Sequence, residues 1–469
     1  MPVILITDAL IFILLALAIV TALYTRHHPH LSAPWQRVGR SPVALGALVV
    51  LSFYLAIGLL DSLHFHPRLE PVAEITTPQA QYSSQVLSVL DVWLTPLREQ
   101  REKTFSAPLA THLFVKEAIE QPDGSLIRDY PRLEYGGAHL RDPDRRIVDI
   151  LLRVLWGLIQ GAVLWAALTW LLCWWLGRRQ GQTPIEQARL LVSGTLKFPW
   201  RTVLFTLGVL LLLSFVIATL ASKYHLLGTD KVGEDVLYQT LKSIRTGLVI
   251  GTLTTLVMLP AAVILGLMAG YFRGLTDDII QYVYTTLNSI PGVLLIAAAI
   301  LMLQVYMTNH AADFASLTER ADLRLLALCL ILGITSWTGL CRLLRGETLK
   351  LREADYVQAA TALGVHHQTI LARHILPNVL HIVMITLVLD FSGLVLAEAV
   401  LSYINIGVDP TMNSWGNMIN SARLELAREP MVWWSLVAAF LFMFTLVLAA
   451  NLLADRVRDA FDPRLRLIA

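Results

Sequence analysis

Long apolar runs alternate with short polar segments along the whole 469-residue chain. Runs of roughly 18 or more apolar residues with few charges read as membrane-spanning helices, because that length crosses the hydrocarbon core. The criterion predicts about nine spans, near residues 3–24, 42–61, 150–176, 202–221, 246–271, 283–306, 324–341, 379–400 and 432–454. No Lys or Arg precedes the first run, so it is expected to remain a helix, not to be removed as a signal peptide. The long loop 62–149 has its own pattern. Val86, Leu87, Leu90, Trp93, Leu94 and Leu97 recur at helical spacing, and Pro96 must end or kink that helix. A second apolar cluster at Leu109, Leu113, Phe114 and Ile119 precedes an Asp123-Gly124 turn signal. A small folded domain is the reading taken, with a loosely ordered spacer as its rival.

Composition sharpens this picture. Hydrophobic residues make up 55% of the chain and charged residues only 15%, a balance that no water-soluble fold of this size could cover. The formal charge of +2 points to no nucleic-acid partner. Placement of Lys and Arg matters more. Arg26, Arg37 and Arg40 follow the first span, and Arg178, Arg179, Arg189, Lys197 and Arg201 follow the third. Arg342, Arg345, Lys350, Arg352 and Arg373 follow the seventh, and Arg456, Arg458, Arg464 and Arg466 lie in the tail. These loops belong on the cytoplasmic side, which puts the N-terminus outside and the C-terminus inside. Cys173, Cys329 and Cys341 sit in or beside apolar runs and read as buried small residues. The His27-His28-Pro29-His30 cluster reads as an interfacial loop, so no metal is expected.

Candidate chemistry concentrates after the seventh span. Residues 351–363 are good helix formers, Gly364 breaks the helix, and a resumed helix is expected to stop at Pro377. Such a helix–Gly–helix offers a short exposed element to a soluble partner. Asp390 falls near the middle of the eighth span, where a carboxylate facing lipid is disfavoured by several kcal/mol. It either lines a translocation path or bonds a neighbouring helix, and both readings stand. Pro260, Gly266, Gly270, Pro291 and Gly292 are packing and kink positions. The chain has no G-x-x-x-x-G-K-[S/T] loop, no H-E-x-x-H and no G-x-S-x-G.

The string Leu351-Arg352-Glu353-Ala354-Asp355-Tyr356-Val357-Gln358-Ala359-Ala360, then Gly364 and Leu376-Pro377, resembles the coupling loop of binding-protein-dependent ABC importer permeases. Its longer form is similar to the peptide/nickel branch, to the C-type subunits of dipeptide and oligopeptide permeases. Leu227-Gly228-Thr229-Asp230 with Gly233-Glu234-Asp235-Val236-Leu237 resembles that branch's L-G-T-D-x-x-G-R-D-V-L, with Glu234 in place of Arg. Glu398-Ala399-Val400-Leu401-Ser402-Tyr403, Gly407-Val408 and Ser414-Trp415-Gly416-Asn417-Met418 resemble its E-A-x-L-S-F-L-G-L-G-V and S-W-G-N-M strings. Asn451-Leu452-Leu453-Ala454-Asp455 and Asp462-Pro463-Arg464-Leu465 fit its tail. Gly274 and Asp277 fit too, whereas Tyr282 and Thr285 stand where the branch has Arg and Asp. The resemblance covers residues 200–469, and residues 1–199 have no counterpart in it.

The resemblance implies an all-α integral membrane protein of the bacterial inner membrane. Two accessory helices occupy 1–61, an extracytoplasmic insert 62–149, a third accessory helix and linker 150–199, and a six-helix permease core 200–469. The coupling loop, 342–378, would meet the ATPase through Glu353, Ala354, Asp355, Tyr356, Gln358, Ala359, Ala360, Gly364, Leu376 and Pro377. Glu398 would serve a gate or an interface on the translocation path, and Gly228, Thr229, Asp230, Gly233, Asp235, Trp415, Gly416 and Asn417 the outer face. Expected partners are a second permease, two nucleotide-binding ATPase subunits, an extracytoplasmic substrate-binding protein and membrane lipid. ATP and Mg would bind the ATPase subunits, with no cofactor on this chain. The expected function is half of a pathway for di- or oligopeptides. Nickel or another small solute is the alternative, and a proton-coupled secondary transporter is disfavoured because inverted repeats are missing.

Overall fold

The structure, a computed structural model, describes residues 2–27, 29–68, 82–83, 85–120, 126–194, 196, 198–310 and 316–461. His28, the Asp123-Gly124 turn, Lys197 and the tail string 462–465 with Arg466 lie outside the described residues. The chain opens with β1 (Pro2–Val3), α1 (Ile6–His27), α2 (Pro29–Val38) and α3 (Pro42–Asp61). The insert holds β2 (His64–Phe65), β3 (Leu87–Ser88), α4 (Val89–Trp93), α5 (Thr95–Glu99), β4 (Glu117–Glu120) and β5 (Leu126–Asp129). Next come α6 (Arg146–Gln180), α7 (Pro184–Ser193), α8 (Trp200–Ala221) and α9 (Val236–Phe272). Then follow α10 (Leu275–Ser289), α11 (Gly292–Asn309), α12 (Leu317–Ser336), α13 (Thr338–Arg352) and α14 (Asp355–Ala362). The chain finishes with α15 (His367–Ile370), α16 (Leu376–Tyr403), α17 (Trp415–Glu425) and α18 (Trp434–Phe461).

Among the described residues nine helical segments are long and apolar enough to cross a membrane, and the chain is an all-α integral membrane protein. Several helices run past the apolar runs that predicted them, and two of the differing boundaries are set by proline. The sixth span begins at Gly292, not 283, because Pro291 separates α11 from the more polar α10. Pro377 does not end a helix either. A π-helical turn at Leu371–Ile375 leads into α16, and Pro377 sits in the first turn of α16, where its missing N–H is not required.

Two compact units divide the chain, Met1–Val3, Gly39–Arg245 and Asn413–Ala449 in one, Ile4–Val38, Thr246–Met412 and Ala450–Ala469 in the other. In the first, α6 packs on α8 through glycines. A Cβ at Gly157 would lie 2.9 Å from the Val216 Cα, and one at Gly208 would lie 2.7 Å from the Trp165 indole nitrogen. That indole donates to the Leu204 carbonyl at 2.8 Å. Small residues at the seam suit helices that gain no hydrophobic drive from association within lipid. The other side of α6 exposes Leu151, Leu155, Trp156, Val163 and Trp170, an apolar surface of the kind a membrane-embedded helix presents. At its C-terminal end Arg178 and Arg179 lie over Trp174 and Trp175, 4.1 and 3.9 Å from the ring centroids, as at a membrane interface.

The insert's β2 and β3 form an antiparallel sheet with β1 from the start of the chain, and β4 pairs with β5. The helix expected around Leu90 breaks at Leu94, and Pro96 enters the first turn of α5. Ser88 and Asp91 form a reciprocal capping box on α4. Leu90 and Leu97 are buried as their spacing predicts, but Trp93 is 71% exposed.

In the second unit α9 approaches its neighbours closely. A Cβ at Gly266 would meet the Cys341 carbonyl at 2.9 Å, and one at Gly270 the Arg345 carbonyl at 2.7 Å. Met258, Leu267, Tyr271, Cys341, Leu344 and Val379 belong to one apolar core, and Val249, Leu253, Ile300, Leu325 and Leu332 to another.

Candidate functional site

Loop 342–378 folds as the helix–Gly–helix its sequence predicts. α14 ends at Leu363, and Gly364 adopts φ +72. The Gly364 N–H donates to the Thr361 carbonyl and the Val365 N–H to the Ala360 carbonyl, at 3.0 and 3.1 Å. This is the paired C-terminal cap that requires a left-handed residue. Val357, Ala360, Ile370 and Ile375 anchor the element in the core. Asp355, Tyr356, Gln358, Ala359 and Gly364 remain exposed, and Leu363 at the tip is 83% exposed. Leu376 is half-buried and Pro377 exposed.

The element is braced from behind. Arg273 pairs with Glu353 at 2.6 Å, and the Gln358 amide donates to the Glu353 carbonyl at 3.2 Å. The Tyr271 hydroxyl bonds His367 Nδ1 at 2.8 Å. Arg345 of α13 holds Asp277 of α10 through two bonds of 2.5 and 2.7 Å, which lowers the Asp277 carboxyl below its usual range. A concavity of about 510 Å³ opens here, lined by Tyr271, Phe272, Arg352, Glu353, Gln358 and His367. An exposed apolar tip over a braced polar hollow is suited to docking a soluble protein.

The 228–237 segment lies in the other unit, bonded to the insert. Ser106 donates its backbone N–H to the Thr229 hydroxyl, which donates to the Thr104 carbonyl at 2.9 Å. Gly228 and Gly233 have positive φ, and a Cβ at Gly228 would strike the Ser106 carbonyl at 2.5 Å. Asp230 caps its own turn, accepting from Val232 and Glu234 at 3.0 and 2.9 Å. Glu234 pairs with Arg101 of the insert at 2.5 Å. The Trp434 indole donates to the Thr229 carbonyl at 2.9 Å, and Trp415 to the Thr240 carbonyl at 3.2 Å. Gly416 is buried beside Trp415, and Asn417 donates its N–H to the Ser414 side chain at 3.0 Å, capping α17.

Asp235, expected at the outer face, joins two groups that sequence reasoning missed, His225 and Glu102. Asp235 accepts from the Leu237 and Tyr238 N–H groups at 2.8 and 3.2 Å, capping the start of α9. His225 stands between Asp235 at 2.7 Å and Glu102 of the insert at 3.2 Å. Glu102 also accepts from the backbone N–H groups of Glu134, Tyr135 and Gly136, each at 2.9 Å. Burial opposes the charge on His225, but bonds to Asp235 and Glu102 outweigh it and raise its pKa to about 9. Burial likewise opposes the Glu102 carboxylate, and His225 with the three amides outweighs it, lowering the pKa to about 2.

The signs fix a pH window. The raised His225 contributes stability fully below its ordinary 6.5, and that contribution is lost as pH climbs through about 9. The lowered Glu102 contributes fully above its ordinary 4.5, and its share is lost as pH falls through about 2. Protection of the Tyr135 and Gly136 amides, corrected for intrinsic exchange, is therefore expected to be greatest between 4.5 and 6.5. Hydrogen exchange at several pH values checks this, and protection rising steadily to pH 10 contradicts it.

Within the second unit Glu398 is buried and accepts from the Ser402 hydroxyl at 2.7 Å. Asp390 is half-buried and has no hydrogen bond or ion pair to a described residue, only desolvating surroundings. Cys173, Cys329 and Cys341 are buried free thiols.

A family model described as the binding-protein-dependent transport system inner membrane component matches residues 262–467. The glutathione transport system permease protein GsiD of Pectobacterium atrosepticum is 33% identical over 245 residues, 52% of this chain and 74% of the relative. The oligopeptide transport system permease protein OppC of Haemophilus influenzae is 30% identical over 241 residues, 51% of this chain and 71% of the relative. OppC of Bacillus subtilis is 29% identical over 245 residues, 52% and 73% of the two chains. Helices and likenesses together define a multi-pass membrane transport subunit. The chain belongs to the permease subunits of binding-protein-dependent ABC importers.

Proposed function

We propose that this chain forms one membrane half of an ATP-driven importer for di- or oligopeptides. The observation that carries the reading is loop 342–378, an anchored helix–Gly–helix whose tip residue Leu363 is exposed. A second permease completes the pathway, and two ATPase subunits bind ATP and Mg and close on this loop and its counterpart. The N-terminus lies outside and the C-terminus in the cytoplasm, so 228–237, 398–418 and the insert face an extracytoplasmic binding protein. Relatives named for oligopeptide and glutathione transport support a peptide cargo. ATPase closure shifts a two-state helix bundle between outward and inward openings.

Reconstituting the complex in vesicles and following labelled peptides and nickel separates the cargoes. ATP-dependent accumulation of di- or oligopeptides is the expected result. Accumulation of nickel alone would replace the cargo, and uptake without ATP would overturn the mechanism.

Asp390 lines the path in this reading, because no described neighbour satisfies its carboxylate. Asp390→Asn keeps the shape and removes the charge. Uptake of peptides with a free amino terminus is expected to fall about tenfold, as for loss of one charge-assisted bond, while blocked peptides are unaffected. Equal uptake of both by the variant contradicts the assignment.

A further inference from the structure

An apolar groove of about 920 Å³ runs within the second unit between α1, α2, α9 and α16. Leu14, Leu17, Leu256, Leu259, Leu387 and Phe391 line its length. Its volume falls in the range of ligand pockets, about 300–1,000 Å³. One end is different. There the α1–α2 junction contributes Thr25, Arg26, Ser32, Trp35 and Gln36. We propose that this groove is a binding site for one anionic phospholipid, with acyl chain along the leucines and phosphate at Arg26.

Three observations commit the site to that occupant. First, α1, α9 and α16 are membrane spans, so the groove opens within or beside hydrocarbon, where acyl chain is the solvent. Second, Arg26, Ser32, Trp35 and Gln36 gather at one end, at the last turn of α1 and along α2, while Thr21, Thr252 and Thr255 donate their hydroxyls to carbonyls of their own helices, matching the division of a lipid into head and tail. Trp35 stands at that boundary with its ring edge-on to Phe461 at 5.5 Å, the position an amphipathic ring takes at a headgroup layer. Third, the charge is of one sign. Residues 9–38, through α1 and α2, carry Arg26 and Arg37 and not one Asp or Glu. A guanidinium recognises a phosphate through paired N–H donors, and Arg37 on the same element adds to the preference for a headgroup with net negative charge. Ser32 and Gln36 supply neutral polar groups for the glycerol and ester oxygens. A protein helix would fill the leucine-lined length but leave the arginine end without an anion.

The test uses the assembled importer, delipidated in detergent and titrated with phosphatidylglycerol or phosphatidylcholine, with bound lipid counted by native mass spectrometry. Ala18→Phe places a ring in the groove, since Ala18 lines it. Arg26→Gln removes only the charge. Expected is one phosphatidylglycerol per chain that Ala18→Phe eliminates, bound about tenfold more tightly than phosphatidylcholine at that site. Arg26→Gln should reduce that preference to under about threefold. Equal binding of the two lipids, or a preference unchanged by Arg26→Gln, overturns the proposal. Efficient cross-linking of Leu17→Cys to the second permease would place protein in the groove and overturn it too. If Ala18→Phe fails to assemble, the Arg26→Gln comparison decides alone.

Discussion

Gly364→Val is expected to lower ATP-driven uptake about tenfold or more while the complex still assembles. The reason is conformational, not steric. A Cβ at Gly364 would meet nothing within 4 Å, but φ is +72, a region that β-branched residues avoid. Holding such a residue there costs about 1–3 kcal/mol. The chain escapes that strain by unwinding the cap in which Gly364 and Val365 bond back to Thr361 and Ala360. Under the proposed coupling role, Leu363 then loses its fixed aim toward the ATPase. Val357 and Ile370 stay in the core, so insertion and folding persist. Gly364→Asn is the control, because Asn enters the left-handed region at small cost and should keep most uptake. Wild-type uptake and ATPase stimulation by the valine variant would show that the break plays no part in coupling.

The second large effect is expected from Glu102→Ala. Removing this carboxylate leaves a charged, buried His225 facing Asp235 alone and strips three backbone N–H groups of their acceptor. Breaking a buried ion pair from one side typically costs about 3–5 kcal/mol. The loss falls where the insert meets the 228–237 segment, not on the membrane helices. Limited proteolysis should cut the insert of the variant at least tenfold faster, since roughly 1.4 kcal/mol already gives that factor. Under the proposed docking role, binding-protein stimulation and uptake fall while basal ATPase activity persists. An insert as resistant as wild type contradicts the ionic clamp, and a cleavable insert with normal uptake confines it to a structural part.

The contrast between these two sites shows what a sequence makes legible. Loop 342–378 is local: helix formers, a glycine and a proline within one stretch define it, and the family strings fall on the same residues. Spans are legible for a similar reason, since length and polarity are properties of contiguous residues. The clamp is not local. His225 and Glu102 are 123 positions apart, and neither is unusual in its own polar surroundings. Lys242, which reaches Asp61 at 2.5 Å and Asp91 at 3.0 Å, is equally illegible, since it lies just ahead of the apolar run that begins at 246. Its partners come from the end of α3 and the capping box of α4, which only the folded chain brings together. Pro377 misleads for a different reason. A proline stops a helix or begins one, and the π-helical turn before it decides the matter. Glu234, the departure from the family string, becomes intelligible beside Arg101, a residue of the insert that the family string does not include.

Cross-linking from the tip of the coupling loop tests the central claim most directly. Leu363→Cys places a reactive thiol at an 83% exposed position, whereas Cys173, Cys329 and Cys341 are buried. In the reconstituted importer, a short thiol cross-linker should join this residue to a nucleotide-binding subunit, with a yield that changes between the ATP-free and ATP-bound states. A complex that transports peptide yet gives no adduct with the ATPase in either state would contradict the assignment of loop 342–378 as the coupling element.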